Sequence, residues 1–290
     1  MFRVLFLLLS LAAFNVQAGL KDLQPMQYSV NGVSLAAVEV GNPDGEPVLM
    51  VMGLGSSYLL WGDGLIDGLV GSGYRVILFD NRDVGASQRM DHLGDPVIWW
   101  ELLKNQLGFS VNTAYELQDM AADAVQLMDA LEIDQAHVVG ASMGGMIAQI
   151  IAYEYPQRVK SLTSIMSTSG APHLPEPTDA AMESLQSASY ATDEDLKERN
   201  RQGFWPQGVP RQMMAIFAAG DRSESVKRIE AKTLVLHGRD DGLLPVAHGE
   251  HTHQLIQESE MVIYNGMGHN LPADVVPKMV ADIAEHIQGN

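Results

Sequence analysis

Two glycines bracket a serine in Val138-Val139-Gly140-Ala141-Ser142-Met143-Gly144-Gly145, just after a short apolar run and ahead of a helix-like segment. A serine hydroxyl is a poor nucleophile until a base takes its proton, and a sharp strand-to-helix turn lifts it clear of the backbone. Gly140 and Gly144 stand two residues to either side, where bulk would stop the turn from closing, and Gly145 lets the helix pack closely on the sheet. The same turn leaves the Met143 amide at a helix N-terminus, able to donate to a developing oxyanion. An acid and a base follow. Asp240 and Asp241 come after the apolar run Thr233-Leu234-Val235-Leu236-His237-Gly238-Arg239, and His269 lies in Tyr264-Asn265-Gly266-Met267-Gly268-His269-Asn270-Leu271-Pro272. An imidazole that activates serine needs a carboxylate on its other nitrogen to hold the productive tautomer. Nucleophile, acid and base are thus present in the order Ser, Asp, His.

For these residues to meet, the intervening chain must bring the ends of several strands to one place. Gln27–Val30 and Val33–Ala36 flank Asn31-Gly32, a strong two-residue hairpin signal, so an antiparallel pair opens the fold. Beyond it, brief near-continuous apolar runs read as strands buried on both faces: Val48–Met52, Arg75–Phe79, His137–Gly140, Leu162–Met166, Thr233–Leu236 and Met261–Tyr264. Helix candidates alternate with them at Tyr58–Val70, Ala114–Leu131, Met143–Tyr155, Val246–Gln257 and Ala273–Ile287. In Ala114–Leu131, apolar Leu117, Met120, Ala121, Ala124, Leu127 and Met128 recur at steps of three and four, a core-packing stripe. The alternation predicts an α/β fold with a mostly parallel sheet of about eight strands and helices on both faces. In such sheets the carboxyl ends of the strands converge on the crevice where ligands bind, and Ser142, the Asp240-Asp241 pair and His269 all follow strands.

The alternation breaks between about residues 170 and 227, where no strand is expected and scattered helical pieces are; an insertion this long before the penultimate strand reads as a lid. A second irregular stretch, Met90–Thr113, carries Trp99, Trp100 and Phe109. Zero cysteines exclude a disulfide scaffold, a thiolate metal site and a cysteine nucleophile. Eighteen Lys and Arg against 36 Asp and Glu give a formal charge of −18, which opposes binding to nucleic acid or to an anionic membrane. Met1-Phe2-Arg3, the apolar run Val4–Phe14 and a small-residue site after Ala18 have the layout of a cleaved signal peptide over residues 1–18. The expected mature chain is then a single domain over 19–290, periplasmic or secreted, without a stable membrane insertion.

With its strand–Gly140-x-Ser142-x-Gly144–helix turn and the later Asp and His loops, the chain resembles the α/β-hydrolases over essentially all of its length after the leader. The resemblance implies that the acid, placed a fixed distance beyond His237-Gly238 and shortly before Pro245, is Asp241 and not Asp240. It also makes Met52-Gly53-Leu54-Gly55-Ser56-Ser57 similar to the family's oxyanion loop, with the Leu54 amide as second donor beside Met143. Met52 stands where many members have histidine, which removes a side-chain contact but no backbone donor. Phe79–Ser87, containing Asp80-Asn81-Arg82-Asp83, is a further similar stretch and reads as a structural loop beside the site. Together with Ser161–Gly170, these features look closest to bacterial esterases that include aclacinomycin-type methylesterases and have proline iminopeptidase-like relatives.

The expected chemistry is hydrolysis of a small-molecule carboxylic ester through an acyl-enzyme, a route that needs no metal or organic cofactor. The same residues would serve an aminopeptidase, a lactonase or a carbon–carbon hydrolase. An aminopeptidase would need a carboxylate for the substrate amine, such as Glu183 or Glu194. A binding module that has lost catalysis is disfavoured by the intact nucleophile, acid and base. Trp61, Trp99, Trp100 and Trp205, with Phe204, Phe217, Met182, Met213 and Met214, are candidate walls of an apolar substrate pocket, or else packing between lid and core. His248, His251 and His253 read as a solvated helix face and not as a metal site, since only the first two share a face and no acidic ligand completes a shell.

Overall fold

The computed structural model of the chain describes residues 19–107, 109–187 and 192–289; the proposed signal peptide, residues 1–18, lies outside them. The strands are β1 (Met26–Val30), β2 (Val33–Gly41), β3 (Pro47–Val51), β4 (Arg75–Phe79), β5 (Ala136–Ala141), β6 (Val159–Ile165), β7 (Thr233–Gly238) and β8 (Ser259–Tyr264). They form one eight-stranded sheet in the order β1-β2-β4-β3-β5-β6-β7-β8. Only β1/β2 and β2/β4 pair antiparallel; all pairings from β4 to β8 are parallel. Asn31 (φ 46°) and Gly32 (φ 77°) make the expected hairpin turn, pairing Val30 with Val33.

The helices are α1 (Asp63–Gly71), α2 (Ile98–Gln106), α3 (Leu117–Ala130), α4 (Met143–Glu154), α5 (Asp179–Ser187), α6 (Asp193–Arg201), α7 (Val209–Ala219), α8 (Ser223–Val226), α9 (Ala247–Leu255) and α10 (Val276–Gln288). Successive strand side chains point to opposite faces, and the core divides accordingly. Leu49, Val51, Ile77, Phe79 and Val138 pack with the apolar stripe of α3 and with α4. Val48, Met50, Val76, Leu78 and Val139 pack with Leu65, Leu69, Met279 and Ile283 of α1 and α10. Each such side chain, fully buried, contributes roughly 1.5–3 kcal/mol, so the two-faced strands are the main source of cohesion.

Three expectations change. The helix expected over Tyr58–Val70 is a 3₁₀ turn (Tyr58–Trp61) followed by α1, broken at Gly62, where φ is +74°. The helix expected from Ala114 starts at Leu117, where the Asp119 carboxylate accepts the Glu116 amide at 2.8 Å. The irregular stretch Met90–Thr113 contains α2, whose orientation inverts the usual pattern: Trp99 is 68% exposed, whereas Glu101 is buried, accepting the Asn112 amide and pairing with Lys104. The insertion between β6 and β7 is helical as expected, holding α5 to α8.

Candidate active site

The chain order reverses at β3, which is flanked by β4 on one side and β5 on the other, with Val51 opposite Gly140. Such a switch point opens a crevice at the carboxyl ends of the two strands. The loop after β3 and the turn after β5 therefore begin side by side.

Ser142 sits on that turn at φ 57° and ψ −122°, a conformation costly for a residue with a Cβ, of order 1–3 kcal/mol. Surrounding bonds hold it there: the Ser142 amide donates to Ile165 O (2.9 Å), and the Ser142 carbonyl accepts from the Gly145 amide (2.9 Å) and the Ser167 hydroxyl (2.8 Å). The flanking glycines are required by space. A Cβ on Gly140 would stand 2.2 Å from Gly144 O, and one on Gly144 would stand 2.0 Å from Val51 O.

His269, from the loop after β8, lies with Nε2 2.9 Å from Ser142 Oγ and Nδ1 2.8 Å from Asp241 Oδ2. This geometry suits the tautomer with its proton on Nδ1, donating to the carboxylate, while Nε2 accepts from the serine hydroxyl. Asp241 is buried; its Oδ1 accepts the Leu243 and Leu244 amides, both at 2.9 Å. Burial pushes its carboxyl pKa up, but hydrogen bonds from His237, His269 and the Leu244 amide, with the His269 charge, outweigh burial and hold it well below the usual carboxylate range. Asp240 points elsewhere: its Oδ2 accepts the Gly266 amide (2.9 Å), and its own amide donates to Met267 O, tying down the loop that carries His269.

The loop after β3, expected to supply an oxyanion donor, runs beside Ser142. A Cβ on Gly53 would stand 3.1 Å from Ser142 Cβ. Asn81 Nδ2 donates to Met52 O (2.9 Å), and Ser56 N donates to Gly53 O (3.2 Å). Neither the Leu54 nor the Met143 amide is hydrogen-bonded to another described group. The Phe79–Ser87 stretch is the scaffold of this corner. Asp80 accepts the Tyr58 and Ala86 amides, Arg82 makes a two-point pair with Asp123, and Asp83 makes one with Arg211 of α7.

The pocket-wall expectations fare differently. Trp61 is 1% exposed within the layer between the sheet and α1 and α10, a packing residue and not a wall. Trp99 and Trp100 stack edge to face at 5.8 Å on the outer face of α2, both exposed, so they do not pack lid against core. Trp205 is half-buried beside the loop after β3, its amide donating to Gly55 O (2.6 Å) and its ring 5.8 Å from the Arg89 guanidinium carbon. Met214 is fully buried, Phe204 and Met213 are half-buried, and Met182 and Phe217 are exposed. Glu183 and Glu194 are both exposed, the latter 3.9 Å from Lys197. The α9 histidines are not a solvated face. His248 is buried between Thr168 Oγ1 (2.7 Å) and Pro175 O (2.9 Å), while His251 bonds Ser169 Oγ and His253 bonds Ser259 Oγ.

Two side chains at the site escaped the sequence. His237, fully buried, lies with Nε2 2.8 Å from Leu244 O and 3.5 Å from Asp241 Oδ2; it stood out only as part of a strand-end dipeptide. Gln212 of α7 reaches the loop after β3 at Gly55, and nothing in its local sequence marks it.

Residues 46–201 match the model of the alpha/beta hydrolase fold family. The chain is 27% identical to the rhodomycin D methylesterase DnrP of Streptomyces peucetius, over 88% of this chain and 95% of that protein. It is 30% identical to a 2-hydroxy-6-oxo-6-phenylhexa-2,4-dienoate hydrolase of Comamonas testosteroni, over 78% and 82% of the two chains. Among solved structures, an enol-lactonase from Burkholderia xenovorans superposes with a TM-score of 0.70 at 18% identity, covering 91% of this chain and all of that one. A meta-cleavage product hydrolase from Pseudomonas fluorescens gives 0.68 at 23%, over 91% and 97%. A sheet that switches direction at β3, a strained serine turn after β5 and a family match across half the chain lead to one assignment: this protein is a member of the alpha/beta hydrolase family.

Proposed function

We propose that the protein is a serine hydrolase that cleaves carboxylic esters through an acyl-enzyme, with Ser142 as nucleophile, His269 as general base and acid, and Asp241 as the group that orients and stabilises the imidazolium. The observation that carries this reading is the unbroken relay from Asp241 to His269 to Ser142, at 2.8 and 2.9 Å. His269 takes the serine proton as Oγ attacks the ester carbonyl. The Leu54 and Met143 amides receive the oxyanion; losing one such donor costs about 10²–10³ in rate. Collapse of the intermediate expels the alcohol, protonated by His269, and a water activated by the same imidazole then releases the acid.

The methylesterase relative, matched over nearly its full length, favours an ester whose alcohol is small. A second reading, hydrolysis of a carbon–carbon bond by the same three side chains, draws on the similarity to the dienoate hydrolase. A panel of p-nitrophenyl esters, methyl esters, lactones, 2-hydroxy-6-oxodienoates and proline anilides separates the readings. Ester turnover should dominate and should vanish in Ser142→Ala with the fold retained. Turnover surviving in Ser142→Ala would mean another nucleophile, and turnover of the dienoate alone would favour the second reading.

A further inference from the structure

The insertion between β6 and β7 grips the loop after β3. Gly55 N donates to Gln212 Oε1 at 2.7 Å, and Gln212 Nε2 donates to Arg82 O at 2.9 Å, with the Gln212 side chain fully buried. On the loop's other flank, Ser57 N donates to Gly203 O (2.8 Å) and Trp205 N donates to Gly55 O (2.6 Å), an antiparallel bridge between Ser56 and Phe204. Gly203, Phe204, Trp205 and Gln212 all belong to the insertion. Gln212 itself is rigidly mounted. Its neighbour Arg211, also buried, makes a two-point pair with Asp83 at 2.8 Å for each contact and reaches Asp91 and Asp95.

Peptide planarity turns this grip into control of a donor. Asn81 holds Met52 O and so fixes the Met52–Gly53 peptide; Gln212 holds Gly55 N–H and so fixes the Leu54–Gly55 peptide. The peptide between them carries the Leu54 amide. Its carbonyl, Gly53 O, faces inward to accept Ser56 N, and a trans peptide directs N–H and C=O oppositely, so the Leu54 N–H faces out of the turn. We propose that Gln212 is a positioning residue of the oxyanion hole, through which the insertion sets the orientation of the Leu54 amide; this rests on the role given to that amide above. The insertion is then part of the reaction machinery.

Gln212→Met keeps the length of the side chain and removes both hydrogen bonds. Because the donor would be misoriented and not deleted, kcat should fall by about tenfold or more, with KM within about twofold. Affinity for a trifluoromethyl ketone, which adds Ser142 Oγ to form an oxyanionic hemiketal, should fall by the same factor as kcat/KM. Gln212→Glu keeps an acceptor for Gly55 and should recover part of the loss. Unchanged kcat and ketone affinity in Gln212→Met would overturn the proposal, as would a loss confined to KM, or equal loss in both variants tracking a lowered melting temperature. Should Gln212→Met not fold, Gln212→Leu, which also lacks an acceptor for the Gly55 amide, takes its place: kcat must fall at constant KM, and a wild-type kcat sinks the idea. If the wild type hydrolyses no ester, and Ser142→Ala is no worse, the reading of the site fails and takes this proposal with it. Wild-type turnover lost in Ser142→Ala but untouched at Gln212 overturns this proposal alone.

Discussion

Asp240 and Asp241 share a chemistry and a loop, yet the backbone between them turns one carboxylate to the Gly266 amide and the other to His269. The difference is a matter of which hydrogen-bond donors each meets. Asp241 finds two backbone amides on one oxygen and an imidazole on the other, which fixes its rotamer and keeps it ionised. Asp241→Asn should therefore leave His269 in the wrong tautomer and lower kcat by about 10⁴ with the fold intact. Asp240→Asn should cost less than about tenfold, because it loosens a loop without touching the relay. Steady-state kinetics of the two variants check this directly; comparable losses would mean that the acid has been misassigned. The sequence alone left the pair open, and only the family resemblance favoured Asp241. Ser142 was legible for a different reason: a turn that admits no Cβ at Gly140 or Gly144 leaves a compositional mark.

At the scale of elements, legibility followed how much each segment's burial depends on its own sequence. Strands β3 to β7 are buried on both faces and announce themselves as apolar runs; the α3 stripe does the same at helical spacing. Helix α2 does not, because its tryptophans face out and its Glu101 faces in, so periodicity carries no consistent sign. The pocket walls were unreadable because contacts of the insertion are set by partners far away in sequence, as Gln212 with Gly55 shows. Asp80 joins two elements in the same way, accepting amides from the loop after β3 and the loop after β4. Burial pushes its carboxyl up to about 6, and the Ala86 and Tyr58 amides only partly offset that. From about pH 4 to 6 the unfolded chain has already lost this proton while the folded one keeps it. Folding then binds a proton, and stability falls as pH rises across that window, by up to about 3 kcal/mol. Melting temperatures of wild type and Asp80→Asn should show wild type losing ground to the variant between pH 4 and 7. A gap that does not change with pH would contradict the assignment.

Across the whole molecule, residues 142, 241 and 269 come from three loops at one end of the sheet, and their meeting is a product of strand order more than of local sequence. The switch point at β3 and β5 puts the loop after β3 beside Ser142, the parallel run from β5 to β8 carries Asp241 and His269 to the same edge, and the insertion between β6 and β7 bonds to the loop after β3. Covalent trapping reports whether these parts cooperate as proposed. The intact protein treated with a fluorophosphonate should gain the mass of one phosphonyl group, mapped by peptide sequencing to Ser142, and His269→Ala should slow that labelling by orders of magnitude without unfolding the chain. Labelling at any other residue, or labelling of Ser142 at an undiminished rate in His269→Ala, would contradict it.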